Sequence, residues 1–192
     1  MARVAVSGGL SFLLPASCQT GLSSLLLQEF DEDSETACFL RESDEKARAT
    51  MKAFELGARS EHSSLGLFNK LLARGFSRPS AQAAVQEAQV RGFVDDARYG
   101  AAYARSSAAR RDYGPKHIAL ELRTRGLDGP TAQESLEGID FLAALLRALS
   151  KERRRLPDGP REHLVHALLQ RGFAFHDIEG VLEAGEGEMP ES

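Results

Sequence analysis

Three stretches of this chain share one rhythm. KLLARGFSRPSAQ runs from Lys70 to Gln82, ELRTRGLDGPTAQ from Glu121 to Gln133, and ALLQRGFAFHDIE from Ala167 to Glu179. Aligned on their Arg-Gly pairs, they place Leu67, Leu71, Arg74, Gly75 and Phe76 over Ile118, Leu122, Arg125, Gly126 and Leu127. The third copy supplies Leu164, Leu168, Arg171, Gly172 and Phe173. Two apolar residues four apart share one face of a helix, and a cation in the last turn suits the negative end of its dipole. Glycine then takes the left-handed conformation that stops the helix, and the next apolar residue folds back on the third-last helical position. That pairs Phe76 with Leu71, Leu127 with Leu122 and Phe173 with Leu168.

Five residues past each glycine stand Ser80, Thr131 and Asp177, which are expected to cap a further helix, with Thr131 and Glu134 spaced as a capping box. Gly92, Gly138 and Gly185 are expected to close those helices. Another helix precedes each pair. Residues 44–59 start after Ser43 and carry Ala47, Met51, Phe54 and Ala58 as a stripe. Residues 96–111 start at Asp95 or Asp96 with Tyr99, Ala102, Tyr103 and Ala109. Residues 141–155 start after Asp140 with Leu142, Leu145, Leu146 and Leu149. The unit is a three-helix module of about 45 to 50 residues, the period of a tandem array.

The sequence therefore predicts a mainly α protein: an elongated tandem array of three three-helix repeats at 44–92, 93–138 and 139–185. Residues 1–43 form an N-terminal extension or cap in which Val4, Val6, Phe12 and Leu14 around Gly8-Gly9 suggest a short β-hairpin, and 186–192 an acidic disordered tail. The absence of Trp, few β-branched residues and abundant Ala, Leu, Arg and Glu agree with helix. Cys18 and Cys38 have no metal-ligand spacing. The first eighteen residues are too interrupted by Ser, Gly and Pro to read as an export signal, and no stretch approaches the roughly 20 apolar residues of a membrane span. A cytoplasmic protein is expected.

The net charge of -4 conceals an uneven distribution: residues 46–128 hold 15 Lys+Arg against 8 Asp+Glu, whereas residues 1–45 hold 2 against 8 and residues 129–192 hold 7 against 12. A basic middle between acidic ends fits an anionic partner, or simply a solvated arginine-rich helical surface.

Two motifs are more specific. GFVDDARYGAAYARS at 92–106 and YGPKHIALELRTRGL at 113–127, supported by LGARSEHSSLGLFNKLLARGF at 56–76, resemble the RecX family of regulators of the RecA recombinase. The resemblance covers about residues 44–185 and is weakest in the third module. Gly100 departs from the family's usual Ala, at a helix-propensity cost of about 1 kcal/mol, and Gly66 from its usual Glu. The resemblance implies a non-enzymatic protein that binds RecA and its nucleoprotein filament, restrains ATP hydrolysis and strand exchange, and so bears on homologous recombination, DNA repair and the SOS response. It implies no cofactor and no membrane; DNA contact is secondary, and a monomer is expected. The alternative is a direct DNA-binding helical protein with helix-turn-helix-like modules and no recombinase partner.

The candidate contact residues are cations. Arg98 and Arg105 are seven apart and share a helical face, as do Lys116 and Arg123 on the side away from Ile118 and Leu122. Arg110, Arg111, Arg59 and Lys70 join them as partner- or DNA-binding candidates. Arg98 could instead pair with Asp95 or Asp96. Arg74, Arg125 and Arg171 read as helix caps. Gly75, Gly92, Asp95, Asp96, Gly114, Pro115, Gly126 and Gly172 are structural positions, the two acids capping a helix better than they serve acid/base chemistry. Tyr99 and Tyr103 fall on the apolar stripe, and Tyr113 is expected to be exposed. The run Lys151, Arg153, Arg154, Arg155 suits a helix end or a phosphate. His163, His166 and His176 lack a third ligand at fixed spacing, and no metal is expected.

Overall fold

A computed structural model describes residues 2–5, 11–14, 35–157 and 159–186. The protein is mainly helical. Strands β1 (Ala2–Ala5) and β2 (Ser11–Leu14) pair antiparallel with Val4 opposite Phe12. Nine helices follow among the described residues: α1 (Glu35–Arg59), α2 (Ser64–Leu72), α3 (Arg78–Val90), α4 (Asp96–Arg111), α5 (Pro115–Thr124), α6 (Gly129–Glu134), α7 (Phe141–Arg155), α8 (Arg161–Gln170) and α9 (Phe175–Glu186). The chain divides between Asp95 and Asp96 into two compact units. Residues 6–10, 15–34 and 187–192, where Cys18, much of the acidic extension and most of the expected tail fall, lie outside the described residues.

The repeated helix stop forms as its sequence dictates. Gly75, Gly126 and Gly172 have φ of +85°, +93° and +88°. Each donates its N–H to the residue three back (Leu72, Arg123, Leu169), and the following residue donates to the one five back: Phe76 to Leu71, Leu127 to Leu122, Phe173 to Leu168. This is a Schellman stop made three times. The next helix begins three residues after each glycine, at Arg78, Gly129 and Phe175.

That start corrects the expected caps. Ser77, not Ser80, caps α3, and Asp128, not Thr131, caps α6 by accepting the Thr131 N–H at 2.8 Å; Asp177 lies inside the first turn of α9. Pro79 and Pro130 sit in the first turn, where a missing N–H costs nothing, so the helices start before them. Gly92 and Gly138 close helices at φ +72° and +69°, whereas α9 continues through Gly185 to Glu186. Helix α1 begins at Glu35, ahead of Ser43, because Ala37 and Leu40 extend its buried side.

In the first unit α1, α2 and α3 enclose Ala49, Ala53, Leu56, Leu67, Leu71, Ala81, Ala84, Val85, Ala88 and Val94. The buried face of α1 is its alanine face, so Met51 is 50 % exposed and Ala58 lies in solvent, off the expected stripe. Alanines let the backbones of α1 and α3 approach closely, and larger side chains close the rim: Phe54 stacks on Phe93 at 4.7 Å between ring centroids. Glu45 of α1 fixes the cap of α3, accepting the Ser77 N–H at 2.6 Å and the hydroxyls of Ser77 and Ser80 at 2.8 and 3.1 Å.

The second unit holds two cores. Ala104, Ala108, Ile118, Leu122, Leu127, Ala132 and Leu136 form one among α4, α5 and α6. Ala144, Leu145, Ala148, Leu149, Leu164, Leu168, Phe173, Ile178 and Leu182 form the other among α7, α8 and α9. Small residues again define the inner faces: Gly100, Ala104, Ser107 and Ala108 are buried in α4, while Ala109 is exposed and Ala102 only half-buried. In α7 Leu142 and Leu146 are exposed, leaving Leu145 and Leu149 inside with Ala144 and Ala148. Gly100 is closely packed: a Cβ there would overlap Ser135 Oγ and lie 2.7 Å from Leu127 Cδ2. Its helix-propensity cost therefore accompanies a close approach of α4 to α6.

Candidate cationic interface

Helix α4 places Arg98 and Arg105 within about 20° of each other around its axis, and both are exposed. Lys116 and Arg123 are exposed on α5, opposite the fully buried Ile118 and Leu122. Arg110 and Arg111 occupy the exposed last turn of α4. In the other unit Arg59 pairs with Glu55 at 3.1 Å and Lys70 Nζ lies 3.4 Å from the His62 ring. Burial, first, and then the Lys70 charge hold His62 below its ordinary pKa. Asp96 stands in the first turn of α4, where a carboxylate meets the positive end of the dipole.

A different group is drawn together between α4 and α5. The Tyr103 hydroxyl donates to Glu121, Arg125 lies 4.3 Å from the Tyr103 ring centroid, and Arg111 Nη1 reaches the same hydroxyl at 3.4 Å. Burial and the Glu121 acceptor raise the phenol's pKa. The Tyr113 ring lies tilted against His117, 4.0 Å between centroids, and packs against the α4–α6 core, so it is half-buried rather than exposed. These tyrosines splice two helices and are committed to that role.

The capping arginines divide. Arg74 and Arg125 donate to the carbonyls of Lys70 and Glu121, each four residues back, at 2.8 and 3.2 Å. Arg171 instead spans the two cores of the second unit, donating to the Arg111 carbonyl at 3.2 Å and to the buried Glu152 at 3.0 Å.

Arg171 belongs to a joint that sequence reasoning missed. Asp112 is only 1 % exposed, has φ +52°, and accepts Arg147 Nε at 2.9 Å on one oxygen and Lys151 Nζ on the other; Arg147 Nη2 also donates to the Ala108 carbonyl at 3.0 Å. Burial pushes the Asp112 carboxyl up, but its bonds to Lys151 and Arg147 outweigh this and hold it below the ordinary value. Beside it the Gly114 N–H donates to the Arg171 carbonyl at 2.7 Å and the Lys116 N–H to the Gly172 carbonyl at 3.1 Å. The sequence signal was an acid directly after a helix, where Asp tolerates the left-handed region. Its partners lie 35 and 39 residues on, beyond any local pattern.

Among the described residues no three His, Cys, Asp or Glu side chains are placed to hold a metal ion, and no helix is long and apolar enough to cross a membrane. His166 bonds Gln170 at 2.9 Å and His176 pairs with Asp177 at 2.8 Å.

Residues 95–136 match the family model of the RecX second three-helix domain. Regulatory protein RecX of Xanthomonas campestris pv. campestris (strain B100) is 40 % identical over 136 residues, covering 66 % of this chain and 81 % of that protein. The chain belongs to the RecX family. A second RecX relative, from Chromobacterium violaceum, is 32 % identical over 136 residues, 70 % of this chain and 88 % of its own. In fold, a crystal structure of regulatory protein RecX superposes with a TM-score of 0.76 over 94 % of this chain and 92 % of that one at 16 % identity. RecX from Lactobacillus salivarius does so at 0.65 over 73 % and 96 %, at 18 % identity. At those identities the structural likeness speaks for the RecX fold alone.

Proposed function

We propose that this chain is a regulatory protein of the RecX type that binds the RecA recombinase and its filament on DNA and restrains ATP hydrolysis and strand exchange. It acts by binding, without an active site or cofactor of its own. The observation that carries this reading is its 40 % identity across 81 % of a relative named regulatory protein RecX. Supporting it, the helical repeats present Arg98, Arg105, Lys116 and Arg123 outward, away from the cores, where a partner can meet them. We assign these four to the main protein contact, with Arg110, Arg111, Arg59 and Lys70 accessory to it. The units of function are three helix triplets bounded near Gly92 and Gly138, and the compartment is the cytoplasm.

The test is co-sedimentation of the labelled chain with RecA filaments on single-stranded DNA across a salt series. Retention that persists at salt concentrations where binding to naked DNA is lost supports recombinase contact, because protein surfaces then share the work. Equal loss with and without RecA favours a direct DNA binder.

A further inference from the structure

Helix α7 turns two leucines outward, Leu142 at 57 % and Leu146 at 49 % exposure, and they belong to a pattern. With Leu149 and Arg153 they follow spacings of four, three and four residues and fall within about 60° of arc around the helix. Such spacing makes a seam on which a second helix packs. Here α7 and α9 stand as the walls of an open groove of about 730 Å³, floored by the buried Leu145, Leu149 and Phe173. Gly180 of α9 lines it, and a Cβ there would meet nothing within 4 Å, so that wall is open. A second hollow of about 580 Å³ shares Leu146, Leu149 and Arg153 and carries the groove past Arg154 to Pro157. Arg153 and Arg154 are both exposed. Among the described lining residues the one carboxylate is Asp177, already paired with His176 at 2.8 Å. The groove is thus apolar along its floor and cationic where α7 ends.

We propose that this groove seats an amphipathic helix of a partner protein, its apolar residues spaced three and four apart and its carboxylates meeting Arg153 and Arg154. The stretch from Leu142 to Arg153 rises about 16 Å, so the occupant needs roughly three turns. A concave apolar run with half-exposed leucines suits a helix laid into it, whose side chains at i, i+3, i+4 and i+7 reach the floor. A small ligand would stay largely uncovered in so open a trough. A flat lipid surface cannot follow it. The cationic end then sets sign and direction, favouring an acidic helix over a basic one. The inference goes beyond the RecA reading, since none of the cations assigned to RecA contact lines the groove.

The experiment is fluorescence anisotropy of a labelled synthetic helical peptide with the purified full chain. The probe carries Leu at alternating three- and four-residue spacing and Glu on its flanks. One counterpart has Lys for every Glu, and another has the same composition with the leucines dispersed. L142S/L146S removes the exposed half of the seam. G180L fills the groove while raising helix propensity, so a loss of binding there is not a loss of fold. The Glu probe should bind wild type saturably, and both variants should weaken it about tenfold or more. R153E/R154E should weaken the Glu probe and strengthen the Lys counterpart. A Glu probe that does not bind, a dispersed or Lys counterpart that binds wild type as well, or G180L that matches wild type would each overturn the proposal. So would self-association of the chain that is lost in L142S/L146S, or binding to phosphatidylglycerol vesicles that the Glu probe does not displace, because either puts another occupant in the groove.

Discussion

Gly114 and Gly172 touch backbone to backbone. A Cβ on Gly114 would lie 2.6 Å from the Gly172 carbonyl carbon and 2.6 Å from the Phe173 nitrogen; a Cβ on Gly172 would lie 2.6 Å from His117 Cβ. The glycine that stops α8 is therefore also the seat on which α5 begins, and the repeat's own punctuation locks one core of the second unit to the other.

Two glycine substitutions separate that contact from ordinary turn strain. Gly75 has the same positive φ but nothing within 4 Å of its missing Cβ. Gly75→Ala should cost about 1 to 2 kcal/mol, the left-handed penalty alone. Gly172→Ala carries that penalty plus the overlap with α5 and should cost clearly more. Urea unfolding that found the two equal would remove the joint's close approach from the account.

Asp112 offers a charge test at the same joint. Asp112→Asn keeps a residue that tolerates φ +52° but takes the anion from Arg147 and Lys151, two half-exposed cations that water can resolvate, and should destabilise the second unit by about 1 to 2 kcal/mol. Lys151→Ala, which leaves Arg147 in place on Asp112, should cost less. Thermal unfolding of the two variants reads the difference.

Acid should weaken the fold through two named carboxyls. The Ser77 N–H is the chief cause holding Glu45 low; at Asp112 burial opposes ionisation, but Lys151 and Arg147 outweigh it. With the folded pKa below the unfolded one, the unfolded chain takes up the proton first as pH falls. Their stabilisation is complete above the ordinary carboxylate range of about 4 and is lost as pH drops through the folded values. Stability measured downward from pH 5 should fall less steeply in the Glu45→Gln, Asp112→Asn double variant than in wild type. An unchanged slope would mean that other groups carry the acid sensitivity.

The sequence was most legible where one turn of chain holds the whole cause. The Schellman stops at Gly75, Gly126 and Gly172 require only glycine, a cation and one apolar residue on each side, and their bonds formed at the positions read from the alignment. Helix α4 likewise begins at Asp96, one of the two acids that announced it, and α7 directly after Asp140, which accepts the Ala143 N–H at 2.9 Å. Caps were misread by three residues because Ser80 and Thr131 look like caps in isolation, whereas Pro79 and Pro130 before them belong to the first turn. Inner faces were misread for a different reason: Met51, Leu142 and Leu146 outrank alanine in hydrophobicity, yet close helix packing selects alanine and turns the larger side chains outward. Among the candidate cations, exposure was legible from helical spacing. The Asp112 joint was not, since tertiary structure alone brings residues 112 and 147 together.

Gly100 shows the same tension between propensity and packing. Alanine there gains about 1 kcal/mol of helix propensity but must displace Ser135 and Leu127. Gly100→Ala alone should therefore fail to stabilise the protein, and combination with Ser135→Ala should recover stability beyond additivity. A double-mutant cycle with no coupling would show that the two side chains yield freely.

RecA ATP hydrolysis on single-stranded DNA tests most directly the proposed regulation of RecA by the outward cations of α4 and α5. Added wild-type chain should lower the rate in a saturable way, and the folded variant R98E/R105E/K116E/R123E should lose most of that effect. A rate unmoved by saturating wild type would contradict the function, and a fourfold reversal that acts like wild type would contradict the surface assigned to it.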